Sequence, residues 1–172
     1  MKKYELDKND SIKVNGHTLY RIIYTGEFID KFLSIYNNCH FDMTGGYVES
    51  VKNLSQDGLA VILENAKVYG NGIVTEDSEV SDYAVVYHNG VIGGHAIVTG
   101  HAVVTGHAQI TGYSVVTGRA RVIAHAIIDD YAIISDNAMI SDHSVVSGNS
   151  VIYGNAKVNS KAVVKNVSLK EN

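Results

Sequence analysis

Residues 96–119 read AIVTGH, AVVTGH, AQITGY and SVVTGR, four versions of one six-residue phrase. Extending the same frame both ways covers residues 60–167, from Ala60 to Val167, as 18 consecutive units without an insertion. The third position is Val or Ile in all 18, and the first is Ala in 12, Ser in 4 and Gly in 2. A six-residue unit is too small to bury its own apolar side, so a fixed period sustained this long predicts units stacked on their neighbours.

Each position of the unit has a physical reading. The first and third residues lie one strand repeat apart and share a face. A small residue beside a β-branched one suits a narrow interior, so this face points inward and the second residue points outward. Position five is Gly in 8 units and Asp in 4, and position six favours Asn, His and Tyr. Such residues accept the left-handed backbone of a sharp corner. Each unit is thus one short strand and one corner. Three units close a triangular coil of 18 residues, which gives six coils. Stacked about 4.8 Å apart they form a prism about 29 Å long.

Residues 1–59 break the period and predict a small N-terminal α+β cap. Asn15-Gly16, between SIKV and HTLYRII, is a hairpin signal. In EFIDKFLSIY, Phe28, Phe32, Ile35 and Tyr36 fall at helical spacing. Gly45-Gly46 is expected to turn the chain before YVES. The cap is expected to cover the open strand edge of the first coil, with residues 168–172 forming a short tail. The fold class is therefore all-β, a parallel β-helix with a small cap.

An aliphatic residue followed four positions later by Ala or Ser resembles the hexapeptide-repeat superfamily, and the resemblance implies a left-handed helix. The segments KYEL, VNGHTLYRI, TGGYVES, NLSQDG and ENAKVYGN resemble the opening of the YdcK-like bacterial proteins. That narrower likeness covers the cap and first coils, and it implies an acetyltransferase of unspecified substrate. Acyltransferases of the superfamily hold acyl-CoA between subunits, with a histidine near a corner as general base. His88, His95, His101 and His107 are the candidates here. Such enzymes often add an extruded loop and a closing C-terminal helix; this chain has no insertion in its repeats, and only SLKEN follows them. His107, His125 and His143, 18 residues apart, are expected to stack on one corner. Gamma-class carbonic anhydrases share the superfamily fold and bind zinc with histidines whose same-chain pair is five apart, a spacing found nowhere here. An unoccupied histidine ladder is expected, with no metal and no cofactor.

Charge narrows the function further. The chain has a net charge of −4, which leaves no basic footprint for nucleic acid or an anionic membrane. Its single cysteine, Cys39, excludes an intrachain disulfide and cysteine-rich zinc patterns. MKKYELDKND leads into no apolar run, so no secretory signal is expected, nor any membrane span. The expected location is cytoplasmic, in a cell or in one infected by the protein's source.

Between Ala84 and Ile128 the only charged side chains of the Asp, Glu, Lys and Arg types are Arg119 and Arg121. Sorted by face, ten of twelve outward second positions on the first and third faces are aliphatic, against three of six on the second. An exposed apolar surface of that extent predicts an interface. Its residues are Ile97, Val115, Ile133 and Val151 on the first face, Val91, Ile127 and Val145 on the third, and His95, Tyr113 and Tyr131 at the corner between. Val61, at the head of the first-face column, is expected to point outward with them.

The expected function is a non-catalytic binding or scaffold protein. It would be a homotrimer that takes a protein partner or a small ligand in its intersubunit grooves, of the inhibitor kind carried by phage or mobile elements. The alternative is an acetyl-CoA-dependent O- or N-acetyltransferase using a corner histidine. The register itself predicts that Val116→Ala costs on the order of 1–3 kcal/mol in urea unfolding, through lost burial and a small cavity.

Overall fold

The computed structural model describes residues 2–36 and 41–171; Cys39 lies outside them. Residues 60–167 form a left-handed parallel β-helix, and with the cap's contribution the solenoid has about seven turns. The strands are two to four residues long and pair with strands 18 residues away, as Ile97 does with Glu79 on one side and Val115 on the other. Three parallel sheets result. The first face carries Ile97, Val115 and Ile133, the second Val85, Val103 and Arg121, and the third Val91, Gln109 and Ile127.

The core follows the repeat. Val98, Val104, Ile110, Val116, Val122 and Ile128 are fully buried, as are Ala96, Ala102, Ala108, Ala120 and Ala126 beside them. Where the inward first residue is serine, its hydroxyl needs a partner in this apolar interior. Ser78, Ser114 and Ser150 each donate to the carbonyl three residues back, at 2.6–2.7 Å, whereas the buried Ser144 hydroxyl has no partner among the described residues.

The corner is made by one residue, the fifth. All 18 fifth residues have a positive φ, between 54° and 76°, and none of the sixth residues does. The expectation that position six shares the left-handed backbone is therefore corrected. The sixth residue is freed to project, and its Asn, His and Tyr side chains stack between coils. The fifth residue's own N–H points to the coil below, where a carboxylate accepts it when one is present. Asp82 takes the N–H of Gly100 at 2.9 Å, Asp130 that of Gly148 at 2.9 Å, Asp136 that of Gly154 at 3.0 Å and Asp142 that of Ser160 at 2.8 Å.

The cap consists of β1 (Tyr4–Val14), β2 (His17–Tyr24), α1 (Gly26–Ile35) and β3 (Thr44–Val48). Asn15 and Gly16 form the two-residue hairpin turn at φ 49° and 85°. Thr25 caps α1, its hydroxyl accepting from the Phe28 N–H. β3 pairs antiparallel with β2 and parallel with Lys67–Val68, so the cap continues the second-face sheet past the first repeat. At the other end Ser168–Glu171 pairs with Val151–Gly154, so the parallel ladder runs through the expected tail.

Gly45 and Gly46 lie inside β3 rather than at a turn, which corrects the sequence reading. A Cβ on Gly45 would stand 2.6 Å from the Ile62 carbonyl oxygen, and one on Gly46 2.6 Å from that of Ala66. Glycine is required there for the close approach of β3 to the first coil. Buried polar side chains finish the edge. Tyr24 Oη donates to the Ile62 carbonyl and accepts its N–H, at 3.0 and 2.8 Å. Asn53 donates to the carbonyls of Gly70 and Gly72, and Lys3 Nζ to those of Asp57 and Ala60.

Two measurements follow from the corners and the cap. Asp136→Ala should cost about 1 kcal/mol in urea unfolding, through the lost bond to Gly154, whereas Asp136→Asn retains an acceptor and should cost less. Burial lowers the Lys3 ammonium from 10.5 to about 8, against the opposing pull of Asp57 and Asp77. Between pH 8 and 10 the unfolded chain holds a proton that the folded chain has released, so stability should rise with pH, by about 2 kcal/mol. Above that window the trend reverses, because burial raises Tyr4 to about 12 and unfolded tyrosine loses its proton first. Lys3→Met should flatten the rise when unfolding free energy is measured across this range.

Candidate interface and cavity

The apolar second positions form two strips. On the first face Ile97, Val115, Ile133 and Val151 follow one another in register, and on the third Val91, Gln109, Ile127 and Val145 do the same. Ile97 and Ile133 are exposed, at 37 % and 39 %. Val115, Val151, Val91, Ile127 and Val145 are half-buried by their neighbours along the ladder. Between the strips the His95 ring stacks on Tyr113 at 4.6 Å, and Tyr113 on Tyr131 at 5.3 Å, with interplanar angles of 14° and 7°. Tyr113 and Tyr131 are 54 % and 58 % exposed. These ten side chains lie on two adjoining faces and the corner between them.

Val61 departs from the pattern. Its position in the repeat directs it outward, yet it is only 2 % exposed because the cap closes over the head of the first face. Its covered position is a correction to the expected strip, which begins at Ile97.

The corner histidines are spread around the prism. His95 lies between the third and first faces, His101 between the first and second, and His107 between the second and third. His101 stacks on Tyr83 at 5.0 Å, and His88, a left-handed fifth residue, bonds Thr105 Oγ1 at 2.9 Å. His107, His125 and His143 stack face to face at 4.9 and 4.8 Å, with angles of 2° and 12°. Rings stacked this way present parallel edges rather than nitrogens that converge on one point. Among the described residues no three His, Cys, Asp or Glu side chains gather to hold a metal.

One feature was not read from the sequence. Between the C-terminal end of α1 and the first face lies a cavity of about 400 Å³. Phe32, Phe41, Leu59, Val61 and Leu63 give it apolar walls, and Asp77, Glu79, His95, Tyr36 and Ile97 complete it. Asp77 Oδ1 accepts the Leu59 N–H at 2.9 Å, while His95 Nδ1 stands 3.9 Å from Oδ2. Glu79 Oε1 accepts the Ser81 hydroxyl at 2.7 Å. Burial and then the two carboxylates push the Tyr36 phenol upward, so its proton is held firmly. The one sequence signal for this site was Leu63, an apolar fourth residue where most units carry Thr, Ser or Tyr.

No family model matches the chain, and no curated protein matches it. No helix of the described residues is long and apolar enough to cross a membrane.

Proposed function

We propose that this chain is a non-catalytic β-helical scaffold of the hexapeptide-repeat superfamily, related to the YdcK-like proteins, that works as a cytoplasmic homotrimer. The observation that carries the reading is the pair of aliphatic columns, Ile97, Val115, Ile133 and Val151 on one face and Val91, Ile127 and Val145 on the next, flanking the stacked His95, Tyr113 and Tyr131. Burying it removes apolar area from water with few charges to desolvate. A threefold arrangement places the first face of one copy against the third face of the next and brings the tyrosine corner towards the axis. Tyrosine suits that position, with a large ring to pack and a hydroxyl that stays wet. The second face, with Lys67, Arg121 and Lys157, remains free for a protein partner.

A stable interface of this kind buries upwards of roughly 1,000 Å². Light scattering should give the mass of three chains, and Val115→Arg should reduce it to that of one by burying an unpaired charge. A monomeric native chain, or an interface centred on the second face, would sink the proposal. Acetyl-CoA binding in the micromolar range, lost in His95→Ala, would replace it with acyl transfer.

A further inference from the structure

We infer that the cavity beneath α1 is a binding site for a small amphiphilic cation, an ammonium group carried on an aromatic or aliphatic body. The argument rests on two halves of one space. Phe32, Phe41, Leu59, Val61 and Leu63 make a wall that can only reward apolar contact. Its volume of about 400 Å³ is at the small end of the roughly 300–1,000 Å³ common among ligand pockets.

The other half is acidic. Asp77 and Glu79 are neighbours two residues apart, on the corner and the strand that follows it, and both line the cavity. Glu79 Oε1 is occupied by Ser81, and its second oxygen has no hydrogen-bond partner among the described residues. Asp77 uses one oxygen on the Leu59 N–H, and the other is beyond hydrogen-bond reach of His95. The His95 ring lines the same space, and among the described residues the buried Lys3 ammonium, which feels Asp77, is already committed to the Asp57 and Ala60 carbonyls. Both carboxylates line the same space as the Tyr36 phenol, and after burial they add to the upward push on it. An ammonium donates to two carboxylates here, in charge-assisted bonds, while its body displaces water from the apolar wall. The same pair repels the head of a carboxylate ligand of the same shape.

The site is built within one chain and does not depend on the trimer, although His95 and Ile97 belong both to it and to the proposed interface. Calorimetry on the full chain at neutral pH, with 4-phenylbutylamine, 4-phenylbutanol and 4-phenylbutyrate, separates charge from shape because the three share one body. The amine should bind more tightly than the alcohol by about tenfold, the scale of one charged hydrogen bond, and the carboxylate most weakly. The double variant Asp77→Asn, Glu79→Gln should erase the amine's advantage and leave the alcohol's affinity in place. Leu63→Trp should weaken all three. Equal affinity for the three probes, no binding of the amine at millimolar concentration, or an advantage that survives the double variant would overturn the inference. The ranking on the native chain decides the matter even if a variant fails to fold. Light scattering of the same samples reports separately on assembly.

Discussion

The fifth residue of each hexapeptide carries the chain around its corner in the left-handed region, and every strand is placed by the corner before it. Ten of these 18 residues are not glycine, and each accepts a conformation that costs an L-residue roughly 1–2 kcal/mol. The conformation persists because an 18-residue coil is fixed from both sides by its neighbours' hydrogen bonds. Aspartate recovers part of the cost by accepting the next coil's fifth N–H, as Asp82, Asp130, Asp136 and Asp142 do. In the middle of the prism Gly94, Gly100, Gly106, Gly112 and Gly118 hold these positions and adopt the left-handed backbone without the steric cost of a Cβ.

That division also shapes the surface. Glycine corners contribute no carboxylates of their own, so the coils that turn at Gly94 to Gly118 are the same coils whose flanks carry little charge. The apolar strips therefore pass between corners that offer little to keep them in water. At the head of the prism the cap takes over, covering Val61 and satisfying the first coil with Tyr24, Asn53 and Lys3. The cavity is where these two solutions meet imperfectly, since a helix laid over a flat ladder leaves space at its end.

The prism was legible because the period assigns each residue a face before any contact is known. Val116 had to point inward and Ile97 outward once the frame was set. The hand of the helix came from resemblance to a family, since the general rule for parallel crossovers favours the opposite one. Gly45-Gly46 was misread because a glycine in a sequence does not say whether it supplies a backbone angle or the absence of a side chain. Val61 shows a related difficulty: its repeat position was right, but what lay outside it belonged to the cap. The cavity left only Leu63 as a trace in the sequence, because Phe32, Leu63 and His95 meet only after the cap has docked.

An uninterrupted ladder has one more consequence. Because every coil contains 18 residues and follows the last without an insertion, removing or adding a whole coil leaves the remaining registers intact. The molecule is in effect a ruler marked in steps of about 4.8 Å, the spacing of its strands. Its span can change in whole marks while the shape of each cross-section stays the same.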